Sequence, residues 1–318
     1  MKIIKISALL VALCLLFPVL LGCEAQSTDT EELSIVSTVF PYYDWTKNLI
    51  EGTDADLSLL VKNGTDLHSY NASVFDIVSI SSCDLLIMTG GESDAWVEEA
   101  LKEVQNKDIV VIRLLDILQP EGLALALENE HEHEHDDICE HTFDEHIWLS
   151  PAIAMKLVES ISSTLCKLDS ENAMTYSSNA AAYIEKLSAL DTDYKEELES
   201  IDTPLLFADR FPFRYLVNSY GLEYFAAFDG CSADFEASFA TVTTLASIIN
   251  EHSLSSVFVT ESSTGDIARS VIAASNKKDC AVIALDSMQS LTEGDIKNGA
   301  DYIEIMKNNL HLLKEGTK

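Results

Sequence analysis

The stretch that decides the fold runs from 33 to 61 and contains "LSIVSTVF" (33–40), "YYDWTKNLI" (42–50) and "DLSLLV" (56–61). The first and last of these are short aliphatic runs typical of buried strands. The middle one spaces its apolar residues three or four apart, as an amphipathic helix does. A strand, a helix and a second strand in this order predict two parallel strands joined by a helical crossover.

The same alternation continues along both halves of the chain. In the first half it predicts strands at 84–90 and 108–112, and helices at 93–104 and, capped by Asn71, at 71–82. In the second half it predicts strands at 204–208, 224–228, 256–260 and 281–285, and helices at 211–220, 236–252, 265–276 and 300–314. Short aliphatic runs between amphipathic helices are typical of a parallel sheet covered on both faces. Each half therefore predicts one α/β lobe.

The segment between the halves, 169–201, contains neither glycine nor proline and carries one apolar stripe. The stripe steps by three and four residues through Ala173, Tyr176, Ala180, Tyr183, Leu187, Leu190, Tyr194, Leu198 and Ile201. A helix of about 30 residues is roughly 45 Å long. We therefore expect an α/β protein with two Rossmann-like lobes, 33–168 and 202–318. Each lobe is a mostly parallel sheet flanked by helices, and one long rigid helix bridges them.

The amino terminus, "MKIIKISALLVALCLLFPVLLGC" (1–23), has two lysines, an apolar run and a final Leu-Leu-Gly-Cys. This layout is typical of a lipoprotein signal peptide over 1–22, with Cys23 lipidated after cleavage and 23–32 serving as a polar linker. The alternative is an uncleaved membrane anchor. The first interpretation places the protein on the extracytoplasmic face of a cell membrane.

Charge and cysteine content limit the classes of partner. The chain has 20 Lys and Arg against 53 Asp and Glu, a net charge of −33. Such acidity opposes binding to nucleic acid or anionic lipid. It either raises the local concentration of cations or serves only to keep the protein soluble. Apart from Cys14 and Cys23, the cysteines are too scattered for a zinc ribbon, and we expect mostly buried free thiols. They are Cys83, Cys139, Cys166, Cys231 and Cys280.

Two loop histidines are candidate metal ligands. His68, in "NGTDLHSYNASVFDI" (63–77), follows a predicted strand, at the sheet edge where open α/β folds hold ligands. It could also be an exposed histidine without a function. His146, in "DEHIWLSP" (144–151), lies between two acids and a helix start at Ser150. A flanking carboxylate can hold the second ring nitrogen of a metal-binding imidazole, so this stretch favours a divalent metal.

Four further histidines lie upstream of His146, within the segment 129–141. There "HEHEHDDICEH" (131–141) places His131, His133, His135 and His141 among acids. Alternating His and Glu has neither strand nor helix character, so this segment predicts a loop with many nitrogen and oxygen ligands. Weak, exchangeable metal capture is the functional hypothesis. A solvated acidic loop is the alternative.

The sequence offers no catalytic arrangement. It lacks a G-x-S-x-G, a P-loop, a G-x-G-x-x-G and an H-E-x-x-H in a predicted helix. We therefore expect a protein that is not an enzyme. A secreted metallohydrolase with an open zinc position and a surface adhesin with a structural metal are the competing hypotheses.

Taken together, these motifs resemble the zinc/manganese-type substrate-binding lipoproteins of ABC transporters, also described as metal-binding lipoprotein adhesins. The resemblance covers nearly all of the mature chain, and the histidine-rich insertion is similar to that of the zinc-handling branch. Its carriers are the Cys23 lipobox, "GTDLHSY" (64–70), "CDLLIMTGGESDAWVEEAL" (83–101), "DEHIWLSP", "ENAMTYSSNAAAYIEKLSALD" (171–191), "FRYLVNSYGLEY" (213–224) and "YIEIMKNNLHLL" (302–313).

The resemblance implies a monomer that buries one metal ion between its lobes and hands it to an ABC permease. It implies His68 and His146 as ligands, together with Asp286 in "ALDSMQS" (284–290). The third family ligand, a His or Glu, falls on Arg210, which cannot bind a metal because its guanidinium stays protonated. Asp209 or a water would complete the set. Arg210 would pair with Asp209 or Glu261.

The expected cargo is Zn²⁺, because a site of two imidazoles and a carboxylate with about four ligands suits this ion. Mn²⁺ prefers more oxygen ligands and stays possible. The histidine-rich loop favours zinc.

Overall fold

The computed structural model describes residues 32–65, 67–106, 108–127, 142–228, 230 and 237–318. Leu33–Lys318 forms one compact unit. It contains two four-stranded sheets, both wholly parallel, with strand orders β2-β1-β3-β4 and β6-β5-β7-β8. This confirms the predicted α/β class with two lobes of similar construction. The exact domain boundaries remain predictions.

The elements of the first half follow the predicted alternation. The strands are β1 (Ser34–Ser37), β2 (Asp56–Leu59), β3 (Leu85–Met88) and β4 (Val110–Arg113). The helices are α1 (Phe40–Leu49), α2 (Val74–Ser82), α3 (Ala95–Glu103), α4 (Leu114–Leu118), α5 (Pro151–Leu168) and α6 (Ala173–Leu198). Besides a 3-10 turn at Gln119–Glu121, three lie at Leu67–Ser69, Glu92–Asp94 and Ile147–Leu149. All three of these turns follow strands or precede helices at the edge where the candidate site lies.

The second half repeats the arrangement. Its strands are β5 (Leu205–Phe207), β6 (Tyr224–Ala226), β7 (Ser256–Thr260) and β8 (Ala281–Leu285). Its helices are α7 (Arg214–Tyr220), α8 (Phe239–His252), α9 (Asp266–Ala274), α10 (Glu293–Lys297) and α11 (Tyr302–Gly316).

Helix starts are where the sequence predictions were wrong. The run at 33–40 ends as a strand at Ser37 and turns into α1 at Phe40, because Pro41 fits the first turn of a helix. Helix α2 is capped by Ser73 and not by Asn71. Ser73 Oγ accepts the Asp76 N–H and Asp76 accepts the Ser73 N–H, which forms a capping box. The predicted cap of α5 is confirmed, since Ser150 Oγ accepts the Ile153 N–H.

The bridging helix α6 is shorter than predicted. It has 26 residues and is therefore about 39 Å long. Its apolar stripe packs along α5 and against α1 and α11. Tyr176, Tyr183, Leu187 and Tyr194 on this stripe are all at least 98% buried. A helix with helices on several sides is held as part of the core, which supports the rigidity predicted for it.

The largest hydrophobic cluster extends across both sheets. It joins Ile35 and Trp45 of the first lobe to Phe207 and Tyr302 of the second through the stripe of α6. Two smaller clusters lie under the other faces of the sheets. The lobes therefore share one core, and a relative rotation between them would expose apolar surface.

Several predictions fall on residues outside the described ranges. These are the signal peptide with Cys14, the lipidation site Cys23, the loop histidines His131, His133, His135 and His141, and Cys139 and Cys231. Of the described cysteines, Cys83, Cys166 and Cys280 are free, as expected, but only Cys83 is buried and the other two are partly exposed. No helix within the described ranges is long and apolar enough to span a bilayer.

A buried acid in the shared core gives a pH-dependent stability. Asp44 on α1 is 3% exposed and accepts hydrogen bonds from Tyr183 Oη at 3.2 Å and the Tyr302 N–H at 3.3 Å. Burial, with a contribution from the nearby charge of Asp301, raises the pKa of Asp44 from 3.8 to about 6. The folded state thus binds this proton more tightly than the unfolded state does.

We expect the Asp44 term in the free energy of unfolding to be present below about pH 4 and lost as pH rises through about 6. Asp44→Asn keeps the shape without the charge, so its stability relative to wild type should increase by about 2–3 kcal/mol between pH 4 and 7. Urea unfolding of both metal-free proteins at several pH values measures this difference. Asp54→Asn, an exposed acid, is the control. A difference that does not change with pH would contradict the assignment.

Candidate metal site

His68 lies in the 3-10 turn Leu67–Ser69, after β2. Leu67 is 5% exposed and anchors the turn in the core, whereas the His68 side chain is half-buried. Ser93 Oγ lies 2.7 Å from His68 Nδ1. His68 follows β2 at the carboxyl end of the strand, as the sequence predicted, and its role as a ligand stays a prediction.

His146 is fixed more tightly. It is 2% exposed, and Asp144 Oδ1 lies 2.9 Å from both its backbone nitrogen and its ring Nδ1. A carboxylate only accepts hydrogen bonds, so a neutral His146 ring carries its proton on Nδ1 and its lone pair on Nε2. Asp144 therefore holds the second ring nitrogen as the sequence predicted for a flanking acid.

The two imidazoles face each other. His68 Nε2 and His146 Nε2 are 3.4 Å apart, the ring centroids are 5.4 Å apart and the ring planes are inclined by 56°. Because His146 Nε2 carries a lone pair, this spacing fits either a proton donated by His68 Nε2 or a metal ion bound to both nitrogens. The structure thus brings together the two histidines singled out in the sequence, although they are 78 residues apart.

Gly91 and Ser93 were not singled out by the sequence analysis, and Glu145 was noted only as an acid that flanks His146. Glu145, 5% exposed, accepts the Ser93 N–H on Oε1 at 2.9 Å. Gly91 provides the space, because a Cβ there would lie 2.4 Å from Glu145 Oε1. In the sequence, Gly91 and Ser93 lie in "TGGESD" (89–94), which was noted only as part of the longer motif 83–101.

The surroundings of the imidazoles are acidic. Asp94, Asp144 and Glu145 are each at most 5% exposed. Burial is the main cause that raises the pKa of Asp94 to about 7, and the Glu145 charge adds to it, whereas the bond from the Gly90 N–H opposes it. Arg214 Nε lies 3.7 Å from Asp144 Oδ2. Several buried carboxyl groups beside two imidazoles form an environment that favours a cation.

The second lobe reaches the site through Trp148 and Tyr215. Tyr215 Oη donates to the Asp144 carbonyl at 3.0 Å. Trp148 Nε1 donates to the Ser287 carbonyl at 2.9 Å, and Ser287 follows Asp286. Asp286 Oδ1 accepts the Met288 N–H at 2.7 Å, and burial together with the charge of Glu261 raises the pKa of Asp286 to about 6.

The remaining predicted residues line the neighbouring end of β7. Asp209 Oδ2 accepts the N–H and the hydroxyl of Thr260 at 3.1 and 2.8 Å. Arg210 Nη2 donates to Ser262 Oγ at 3.4 Å. Glu261 accepts from the N–H and hydroxyl of Ser287 and from Ser290 Oγ. Pairing of Arg210 with either acid stays a prediction.

In the part of the chain that the structure describes, no group of three or more His, Cys, Asp or Glu side chains is arranged to hold one metal ion. The structure therefore shows two imidazoles 3.4 Å apart at Nε2. Metal binding by this pair, and the addition of Asp286 and Asp209 to it, stay predictions.

Comparison with known proteins places these features in a family. The chain is 34% identical over 315 residues to the zinc-binding lipoprotein AdcA of Streptococcus pneumoniae, covering 98% of this chain and 61% of that protein. It is 28% identical over 288 residues to the high-affinity zinc uptake system protein ZnuA of Bacillus subtilis, covering 90% of this chain and 88% of that protein. The chain thus spans about three fifths of the length of the AdcA proteins that it matches.

Solved structures give the same relationship. The Zn(II)-bound ZnuA-like domain of S. pneumoniae AdcA matches with a TM-score of 0.71 at 31% identity, over 90% of this chain and 99% of that one. The metal-dependent lipoprotein YcdH of B. subtilis matches with a TM-score of 0.72 at 26% identity, over 90% and 100%. A family model described as "Zinc-uptake complex component A periplasmic" matches residues 35–316. The chain therefore belongs to the family of periplasmic A components of zinc-uptake complexes.

Proposed function

We propose that this protein captures Zn²⁺ between His68 and His146 and delivers it to an ABC permease for import. The observation that carries the proposal is the 3.4 Å separation of the two Nε2 atoms. Two nitrogens that each lie about 2.0–2.1 Å from a tetrahedral zinc ion are separated by about 3.3–3.4 Å. The pair thus has the spacing of two ligands of one zinc ion.

Asp286 is the third ligand in this proposal, and Asp209 or a water completes the coordination. Support for Asp286 comes from the Trp148–Ser287 hydrogen bond, which ties its loop to the segment that carries His146. A bound dication would stabilise the charged form of Asp286 against the burial that now raises its pKa. Capture and release make and break no covalent bond, so no residue has a catalytic role.

The cellular setting follows from the relatives. AdcA is named a lipoprotein and the family is described as periplasmic, which supports a location on the extracytoplasmic face of a membrane. In our proposal Cys23 carries the lipid anchor, and the protein acts as a monomer. The histidine-rich loop at 129–141 collects zinc weakly, and His68 and His146 bind it tightly.

A titration tests the proposed cargo. Protein purified without chelator should bind one tightly held Zn²⁺ per chain in competition with a chromogenic chelator, and excess Mn²⁺ should not displace it, because manganese favours more oxygen ligands. Loss of all zinc to a weak chelator would contradict a zinc receptor. Preferential retention of manganese would identify Mn²⁺ instead of Zn²⁺ as the cargo. Turnover of an ester or amide by the zinc-loaded protein would favour the hydrolase alternative.

A further inference from the structure

Beyond the two histidines, a chain of hydrogen bonds links the loops that carry them. It begins at His68 Nδ1, which lies 2.7 Å from Ser93 Oγ, and continues from the Ser93 N–H to Glu145 Oε1 at 2.9 Å. Glu145 directly precedes His146 in the sequence. One serine in the 3-10 turn Glu92–Asp94 therefore contacts both ligand loops, one through its hydroxyl and the other through its backbone.

The Ser93 hydroxyl holds the His68 ring with Nε2 toward His146. A hydroxyl can either donate or accept a hydrogen bond, so Ser93 Oγ stays a partner of Nδ1 in both tautomers of the ring. Without a metal, His146 Nε2 carries a lone pair, so His68 Nε2 donates the proton between the two rings and Nδ1 accepts from Ser93. With zinc on Nε2, the His68 proton lies on Nδ1 and is donated to Ser93 Oγ.

Glu145 holds Ser93 in place. Its carboxylate is 5% exposed and fits against the backbone of Gly91, where any larger residue would collide with it. Oε1 accepts the Ser93 N–H, whereas Oε2 is buried and accepts no hydrogen bond from any described residue. A buried carboxylate with an unsatisfied oxygen costs stability, so its presence here is consistent with a functional role.

We propose that Ser93 and Glu145 are positioning residues that fix the orientation of the His68 ring and its distance from His146. Neither touches the ion in this proposal, which rests on the proposed function at the histidine pair. Ser93 orients the His68 ring. Glu145 locks the Ser93 turn to the segment of His146, so that two ligands from separate loops keep one spacing.

Zinc affinity of matched variants tests the proposal. Partners of metal-binding histidines typically contribute about 10–100-fold to metal affinity. We expect a loss in that range for Ser93→Ala, and restoration to within about threefold for Ser93→Thr, which keeps the hydroxyl. Glu145→Ala should lose affinity, and Glu145→Gln, which keeps an acceptor oxygen, should lose much less. Ser81→Ala, whose hydroxyl only bonds the Ile77 carbonyl within α2, is the control.

A spectroscopic measurement separates positioning from general damage. In the zinc-loaded protein, the ¹⁵N chemical shifts of His68 should report zinc on Nε2 and a proton on Nδ1 in wild type and Ser93→Thr. Ser93→Ala should show a mixture of Nε2 and Nδ1 ligation, while its metal-free form unfolds at the same denaturant concentration as wild type.

The outcomes distinguish this proposal from the proposed function. Wild-type affinity and wild-type Nε2 ligation in Ser93→Ala, together with loss of zinc in His68→Ala, would overturn the positioning role and leave zinc capture standing. Unchanged zinc affinity in His68→Ala would overturn zinc capture by the pair and, with it, the positioning role.

Discussion

Replacement of His146 by alanine is expected to lower zinc affinity by more than about 100-fold. Its Nε2 faces His68 Nε2 at 3.4 Å, and Asp144 already holds its Nδ1, so the ring is oriented before an ion arrives. Removal of groups that merely orient a ligand costs about 10–100-fold, and removal of the ligand itself should cost more. His68→Ala should have a similar effect, since both rings contact the same ion in our proposal.

The measurement is a competition titration with a chelator strong enough to empty the histidine-rich loop. Circular dichroism and urea unfolding of each variant confirm that the fold persists. The matched control is His311→Ala. The His311 side chain is 66% exposed and pairs with Glu315, one turn further along α11. If either site variant bound zinc as tightly as the control, the ion would have to lie elsewhere.

The fold could be predicted from the sequence because the spacing of apolar residues along the chain shows which face of each helix or strand is buried. The central strand β3, "LLIM" (85–88), is apolar throughout and completely buried, as a parallel strand covered on both faces must be. Helix starts were predicted less well, since several residues near a start can cap it. Asn71 and Ser73 are both good caps, and only the reciprocal bond from Asp76 selects Ser73.

The candidate site could be predicted only in part. His68 and His146 each follow local signals, a strand end and a helix start, so single stretches of sequence indicated them. The link between Ser93 and Glu145 joins residues 52 positions apart, and no local pattern encodes it. The distance from Arg210 to its acidic neighbours likewise depends on the packing of β5 beside β7. Tertiary contacts of this kind appear only once both sheets are assembled.

The second large effect is expected in stability, at Trp148. The indole is fully buried, its Nε1–H donates to the Ser287 carbonyl, and its own carbonyl accepts from Tyr302 Oη at 2.6 Å. Its ring also packs in edge-to-face geometry against the rings of Tyr42 and His146, with ring centroids 5.9 Å and 5.5 Å apart. Trp148→Ala removes this packing and should lower the free energy of unfolding by about 3–5 kcal/mol, measured by urea denaturation without metal. Trp96→Ala, at a half-buried position, should cost less.

The variant Trp148→Phe separates the contribution of ring packing from that of the hydrogen bond to the Ser287 carbonyl. Phenylalanine preserves most of the ring contacts but leaves the Ser287 carbonyl without its indole donor, which should cost about 1–3 kcal/mol. Because Ser287 follows Asp286, the same change loosens the loop that is proposed to supply the third ligand. Zinc affinity should therefore fall in Trp148→Phe although most of the stability remains, and it should be unchanged in Trp96→Phe. A stable Trp148→Phe protein with wild-type zinc affinity would show that Asp286 does not depend on this anchor and would weaken its assignment as a ligand.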